Sequence, residues 1–425
     1  MNNTLRATGP QTPNGEVTVS GAKNAATRML AASMLTDSEV TLLDFPTELV
    51  DARYKANFIE AIGGKVLFDP DASTAKITSA DLSARKLEDY NFPIRTTYLL
   101  AAGQLMRENK AFIPYPGGCK LGERKYDLHI MVWEQFGCTV KENPDCIEIT
   151  GTLKGANIHF PISTVGGTEN AILCASVAEG KTTIHNAYVT PEITNLIELL
   201  RLMGAQINVD GTSHIEIQGV QKLNGASIRV VPDRIEAITW IIFAAITGGK
   251  IIVNNVPFDL MQIPLAHLRI SGLDYMSNSS SAYVGPDLIS ETGLQPFEIA
   301  CGTHPGVISD MQPFYVMLAL HSAGRSKVFD YRYPDRTAYL EQLAKSYVND
   351  ALSWKNGEIT INGKQEIKGA TMSSTDLRGS MAMVMAAFTA QGESEVKRCD
   401  MALRGYDQLG KKLKRLGLKF EITEE

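Results

Sequence analysis

Lys181-Thr182-Thr183-Ile184-His185-Asn186, the helix-patterned run from Glu192 to Gly204 and then Gln206-Ile207-Asn208-Val209 form the stretch whose reading decides the fold. Alternating apolar residues mark the two flanking runs as strands, and the leucine-rich run between them repeats at helical spacing. Gly204 stands where a helix ends on a left-handed residue. Just upstream, an apolar, Ala-containing helix ends on Gly180. The unit is therefore helix, strand, helix, strand and hairpin, which makes an α/β protein.

The same unit recurs along the chain. The helix-ending glycines Gly180, Gly248, Gly324 and Gly392 lie 68, 76 and 68 residues apart. The second-helix glycines Gly63, Gly137, Gly204, Gly272 and Gly417 are separated by 74, 67, 68 and 145 residues. The last gap is two periods, and Tyr347 stands where the missing glycine would fall. Six repeats of roughly 70 residues result, an internal periodicity that outranks any local motif in deciding architecture. The Ala-rich helices, such as Ala382 to Ala390, are apolar on most faces and are expected to be buried, with sheets outside. Six such units divide into two globules of three: a domain at 22–231, and a second made of 1–21 plus 232–425.

Length suggests two to three domains, and the composition is that of a soluble, enzyme-sized protein. The chain has 425 residues, 44% hydrophobic and 21% charged, with a net charge of −6 that gives no general affinity for nucleic acid or an anionic membrane. The apolar run around Ile238 to Ile246 is far shorter than a membrane span, and the polar start MNNTLRATGPQTPNGEV lacks a signal core, so a cytoplasmic location is expected. Cysteines 119, 138, 146, 174, 301 and 399 form no C-x-x-C pair, which fits a reducing compartment and argues against structural zinc.

Chemistry concentrates where the helices begin. The residues opening the units are Lys23 and Asn24, Arg95, Thr164-Val165-Gly166, Asp233-Arg234, Asp310 and Asp376-Leu377-Arg378. Each precedes the first turn of a buried helix, where free N–H groups favour an anion. Pseudo-symmetry would bring these starts to one cleft between globules. Pro116-Gly117-Gly118-Cys119-Lys120-Leu121-Gly122-Glu123-Arg124-Lys125 places a lone thiol among cations on a glycine-rich loop, and Asp127 is expected to cap the helix that follows.

Ser20-Gly21-Ala22-Lys23-Asn24-Ala25, the Pro-Gly-Gly-Cys loop with Arg124 and Asp127-Leu128-His129, Pro232-Asp233-Arg234-Ile235-Glu236, Ser309-Asp310-Met311-Gln312, Thr375-Asp376-Leu377-Arg378 and Arg404-Gly405-Tyr406 together resemble the UDP-N-acetylglucosamine enolpyruvyl transferases. Spacing is kept as well: Arg95 precedes Cys119 by 24 residues and Asp310 precedes Arg336 by 26. The resemblance implies a two-domain inside-out α/β barrel, the enolpyruvyl transferase fold, with three repeats per globule. It implies transfer of the enolpyruvyl group of phosphoenolpyruvate to a sugar 3-hydroxyl, with loss of phosphate, in the first committed step of peptidoglycan synthesis. No metal or organic cofactor is implied. Cys119, Asp310, Lys23 and Asp376 take the catalytic roles; Lys23, Arg95, Arg124, Arg336, Arg378 and Arg404 surround the donor. Asn24, Arg124, Lys125, Asp127, Leu128, Thr164, Val165, Gly166, Asp310 and Arg332 fall on the acceptor side, and Glu192 and His129 occupy family-like positions.

The acceptor side also departs from the pattern. Lys125-Tyr126 replaces Pro-Val, Ile162 stands where a basic residue usually precedes Ser-Val-Gly, Pro334-Asp335-Arg336 replaces Glu-Asn-Arg, and Ile308-Ser309-Asp310 replaces Pro-Thr-Asp. Two alternatives follow from the residues: a paralogue with the same donor chemistry on another nucleotide or sugar hydroxyl, and a non-catalytic binding protein of the same fold.

Overall fold

The computed structural model describes residues 3–87, 94–115, 126–347 and 350–424. The described residues form two compact units, one from Gly21 to Val231 and the other from the N-terminal segment up to Ser20 together with Pro232 onward. Each has its own hydrophobic core.

Three helices form the centre of each unit. In the first they are α1 (Lys23–Ala32), α2 (Ala101–Glu108) and α3 (Val165–Ser176); in the second they are α4 (Arg234–Thr247), α5 (Gln312–His321) and α6 (Leu377–Thr389). Helix α4 is buried from Arg234 to Ile246 and α6 from Leu377 to Phe388. A helix satisfies its own backbone hydrogen bonds, so one that is apolar all round can sit in the middle of a core at no polar cost. Helices α4, α5 and α6 touch one another pairwise, and Phe243 of α4 meets Phe388 of α6 edge to face, centroids 6.1 Å apart. In the other unit the turn Thr96–Leu100, which leads into α2, packs on both α1 and α3.

Sheets cover these helices, and one order recurs. Asn157–Thr164 runs parallel to Lys181–Ala187, which pairs antiparallel with His214–Gln218, which in turn pairs with Gln206–Asp210. Ile184, Ile215 and Ile217 point inward while Lys181, Thr183 and Glu216 face out, the period-two alternation of a sheet covered on one side. Asn14–Thr18, Lys250–Asn254, Ser281–Val284 and Met276–Ser277 repeat that order, as do Glu298–Ala300, Gly324–Phe329, Glu358–Gly363 and Leu352–Lys355.

Two sheets close their unit by borrowing a distant strand. Ser227–Arg229 supplies the parallel partner of Val40–Leu43, and Asn3–Gly9 lies between Gly392–Lys397 and Glu421–Glu424. Among the described residues the sixth sheet has three strands, Lys110–Pro114, Cys146–Thr150 and Thr139–Glu142. This is the inside-out arrangement of buried helices and outer sheets expected from the repeats.

The second-helix glycines explain why the repeat was visible. Gly63, Gly137, Gly204, Gly272 and Gly417 all have φ between 77° and 109°, where any side chain is strained. The fifth unit solves the same ending differently. Its helix Ala338–Leu343 tightens into a turn at Ala344–Ser346, and Tyr347 leaves it extended at φ −116°, so no left-handed residue is needed. One expectation needs correction. Asp127 is the first residue of the helix Asp127–Gln135, not its cap; Tyr126 holds the cap position, and no side chain among the described residues caps the helix.

Candidate active site

The unit that begins at Pro232 gathers its charges at the starts of α4, α5 and α6. Asp233 caps α4, its Oδ1 accepting from the N–H groups of Ile235 (2.9 Å) and Glu236 (3.2 Å). Asp376 caps α6 in the same way, accepting from Arg378 and Gly379, each at 3.2 Å. Such caps satisfy orphan N–H donors and set a negative charge against the helix dipole. Asp310 sits in the turn Ser309–Met311 that leads into α5.

Two arginines join these aspartates. Arg336 donates from one terminal nitrogen to Ser309 O at 2.8 Å and Asp310 Oδ1 at 3.0 Å, and from the other to Asp376 Oδ1 at 2.8 Å. Arg378 Nε lies 3.5 Å from Asp310 Oδ2, and one of its terminal nitrogens lies 3.9 Å from Asp233 Oδ2. Asp310 therefore faces a guanidinium from each oxygen while its side chain stays 33% exposed, against 2% for both arginines. Among the described residues of this network it is the most exposed.

Arg404 is buried, at 8% exposure, on the turn after Asp400–Leu403. Its neighbours are tied to the same network. Arg378 donates to Gly405 O at 3.3 Å and lies over the Tyr406 ring, and the Tyr406 hydroxyl meets Thr239 Oγ1 of α4 at 2.8 Å. Arg332 is exposed on the segment before Arg336.

The unit from Gly21 to Val231 carries the second group. Lys23 and Asn24 open α1 and are half-buried, with Lys23 Nζ 3.4 Å from Asp51 Oδ2. Thr164 caps α3, its hydroxyl accepting from Gly167 N at 3.3 Å, and Val165 and Gly166 form the first turn. Gly166 has no room for a side chain: a Cβ there would stand 2.7 Å from the Tyr98 hydroxyl and 3.2 Å from His129. Tyr98 and His129 stack with centroids 3.5 Å apart. Burial, and then the charge of Arg95, lower the His129 pKa to about 3, so its imidazole is neutral at ordinary pH. Arg95 precedes the turn Thr96–Leu100, and Asp127 and Leu128 begin their helix with Asp127 exposed and Leu128 half-buried. Cys119, Arg124 and Lys125 lie outside the described residues.

Sequence reading missed a buried set one turn deeper. Arg28 of α1 bonds Glu169 of α3, and Lys55, fully buried, donates to Thr96 O at 3.1 Å. Burial first and the Arg28 charge second push the Lys55 pKa well below its ordinary value. Glu192 adds its charge to this set from the first turn of Pro191–Leu202. The available signal was a charge inside an apolar helix run: Arg28 within Ala25–Ala32, and Glu169 just before Ala171–Ala175.

Known proteins share the fold and much of the sequence. Residues 7–413 match the family described as EPSP synthase (3-phosphoshikimate 1-carboxyvinyltransferase). The UDP-N-acetylglucosamine 1-carboxyvinyltransferase of Paramagnetospirillum magneticum is 34% identical, covering 99% of this chain and 98% of its own. That of Koribacter versatilis is 35% identical, covering 97% and 94%. Among solved structures, the enolpyruvyl transferase NikO from Streptomyces tendae superposes with a TM-score of 0.88 at 20% identity, covering 99% of both chains. With one-third identity to these relatives over nearly every residue, the chain belongs to the UDP-N-acetylglucosamine 1-carboxyvinyltransferase family of enolpyruvyl transferases.

Proposed function

We propose that this protein transfers the enolpyruvyl group of phosphoenolpyruvate to the 3-hydroxyl of UDP-N-acetylglucosamine, releasing phosphate, as a step of peptidoglycan precursor synthesis. The near-full-length likeness to enzymes of that name carries the reading. The hydroxyl oxygen adds to C2 of the donor while its methylene carbon gains a proton; loss of phosphate and of a proton from the new methyl group restores the double bond. Lys23, Arg124 and Arg404 hold the donor's phosphate and carboxylate, which together carry about three negative charges. Arg95 adds positive field, and Arg336 and Arg378 add more while holding Asp310 and Asp376.

In this reading Asp310 takes or orients the proton of the hydroxyl, Cys119 delivers the proton to the methylene carbon, and Asp376 shares in proton handling. Asn24, Lys125, Asp127, Leu128, Arg332 and the start of α3 face the acceptor. Phosphate release from phosphoenolpyruvate, followed with UDP-N-acetylglucosamine and with a panel of other nucleotide acceptors, tests the assignment. Release that requires UDP-N-acetylglucosamine supports it; release with another acceptor alone replaces it.

Cys119 is expected to be the first cysteine alkylated by fosfomycin, an epoxide that resembles the donor in charge. Cys138, Cys146, Cys174, Cys301 and Cys399 are all buried. Burial pushes the Cys138 thiol up to about 11 and that of Cys399 up to about 12, and raises those of Cys146, Cys174 and Cys301 as well. Thiols held protonated are poor nucleophiles. Peptide mapping after treatment checks this, and modification of Cys138 ahead of Cys119 would count against it.

One observation favours the alternative acceptor. Ile162 is 62% exposed on Asn157–Thr164, two residues before the α3 cap, where the family pattern has a basic residue. Without compensation, a missing charge-assisted phosphate contact weakens binding by about 1.5 to 3 kcal/mol, roughly ten- to a hundredfold. Ile162→Lys is therefore expected to tighten UDP-N-acetylglucosamine binding by about that factor in calorimetry. Tight binding by the unmodified protein that the substitution leaves unchanged would show that another cation already serves.

A further inference from the structure

Beneath the start of α1 and α3 lies an ion pair, one member of which bonds a residue proposed to face the acceptor. Arg28 Nε donates to Glu169 Oε1 at 2.6 Å, and the side chains are 9% and 1% exposed. One terminal nitrogen of Arg28 donates to Thr27 Oγ1 at 3.0 Å and, one helical turn back, to Asn24 Oδ1 at 3.5 Å. A guanidinium has donors only, so the atom of Asn24 turned toward it must be the carbonyl oxygen. The amide's two N–H groups then point away from Arg28. Glu169 fixes the guanidinium in turn, and it stands one turn into α3, which Thr164 caps and Val165 and Gly166 open.

We propose that the Arg28–Glu169 pair is a positioning device that holds Asn24 with its NH2 group toward the acceptor, so that Asn24 serves as a hydrogen-bond donor to an oxygen of the nucleotide sugar. This rests on the functional reading above, which places Asn24 on the acceptor. The pair is a poor device for stability alone. Both groups are desolvated, and Glu169 Oε2 has no hydrogen-bond partner among the described residues. Burial works against the Arg28 charge, but Glu169, Tyr98 and Glu192 outweigh it and hold its pKa above the ordinary value. Burial raises that of Glu169, with Arg28 as the main opposing influence. Replacing such a pair by apolar side chains of similar volume is often neutral or stabilising.

That property makes the test clean. Arg28→Ala alone leaves Glu169 charged and buried, and loss of the fold would obscure its effect. The double variant Arg28→Met with Glu169→Met removes both charges and the orphan oxygen together. It is expected to melt within a few degrees of the unmodified protein, to keep its KM for phosphoenolpyruvate, and to raise the KM for UDP-N-acetylglucosamine about tenfold. The same double change made in an Asn24→Ala background is expected to raise that KM no further, because the group it positions is already gone. An unchanged acceptor KM, or an equal rise in both backgrounds, overturns the inference while leaving the functional reading intact. Absence of turnover by the unmodified protein would overturn the functional reading, and this inference with it.

Discussion

Arg336→Met is expected to lower unfolding stability by about 3 to 5 kcal/mol and to remove most of the turnover. Arg336 is 3% exposed and gives hydrogen bonds to Ser309 O, Asp310 and Asp376. Burial works against its charge, but Asp376 and then Asp310 outweigh that and hold the guanidinium's pKa above its ordinary value. Methionine fills similar volume and offers none of those bonds. Breaking a buried pair from one side leaves the other charge uncompensated, which is why the cost lies near the upper end for single substitutions. Asp376 keeps its two helix N–H partners, but Asp310 loses its shorter arginine contact, so the chemistry should fall further than the stability alone explains. Arg336→Lys restores charge without the two-pronged geometry and should recover stability only in part. Urea unfolding beside phosphate release measures both quantities. A stability loss below about 1 kcal/mol with normal turnover would show that the network is not the frame of Asp310.

The repeat was legible because its punctuation is geometric. A helix that ends by turning back toward a strand often needs a left-handed position, and glycine fills it at Gly204 and Gly417, with φ of 105° and 77°. The same logic explains the one silent unit. Tyr347 leaves its helix in extended geometry and stays 8% exposed, packed against the core. No glycine was required there, so none marked the boundary. Asp127 misled for a related reason. An acidic residue before an apolar run suits a cap, but it suits the first helical turn equally well, where its charge meets the dipole without a side-chain bond.

Asp233 and Asp376 could be placed at helix starts from local pattern alone, and both are caps. What pattern could not supply was pairing across 26 to 145 residues: Arg336 with Asp310 and Asp376, and Arg378 with Asp233. Those contacts depend on how three helices meet, which no single repeat encodes. Arg28 and Glu169 were overlooked because a single charge in an apolar helix reads as an exposed position, whereas here 141 residues of chain bring the two together inside the core.

Arg404→Ala is expected to reduce kcat/KM by at least about a thousandfold with every acceptor. If Arg404 holds the donor with two charge-assisted bonds of about 2 kcal/mol each, losing both amounts to about 4 kcal/mol, and each 1.4 kcal/mol is a factor of ten. The surroundings argue that the residue is held for such a task. The next residue, Gly405, accepts from Arg378, and Tyr406 is fixed by Thr239 and by the Arg378 guanidinium over its ring. Arg378 also lies 3.5 Å from Asp310, so the backbone carrying Arg404 is tied to the carboxylate proposed to handle the acceptor hydroxyl. Arg404→Lys separates charge from shape: a point charge on a flexible stem should keep part of the donor affinity but not the paired geometry. Urea unfolding of both variants guards against mistaking a lost fold for lost chemistry. If Arg404→Ala folds normally and retains more than about a tenth of the unmodified turnover, the donor is held without it. If alanine and lysine fail equally, the fork of the guanidinium, not its charge, is what the donor requires.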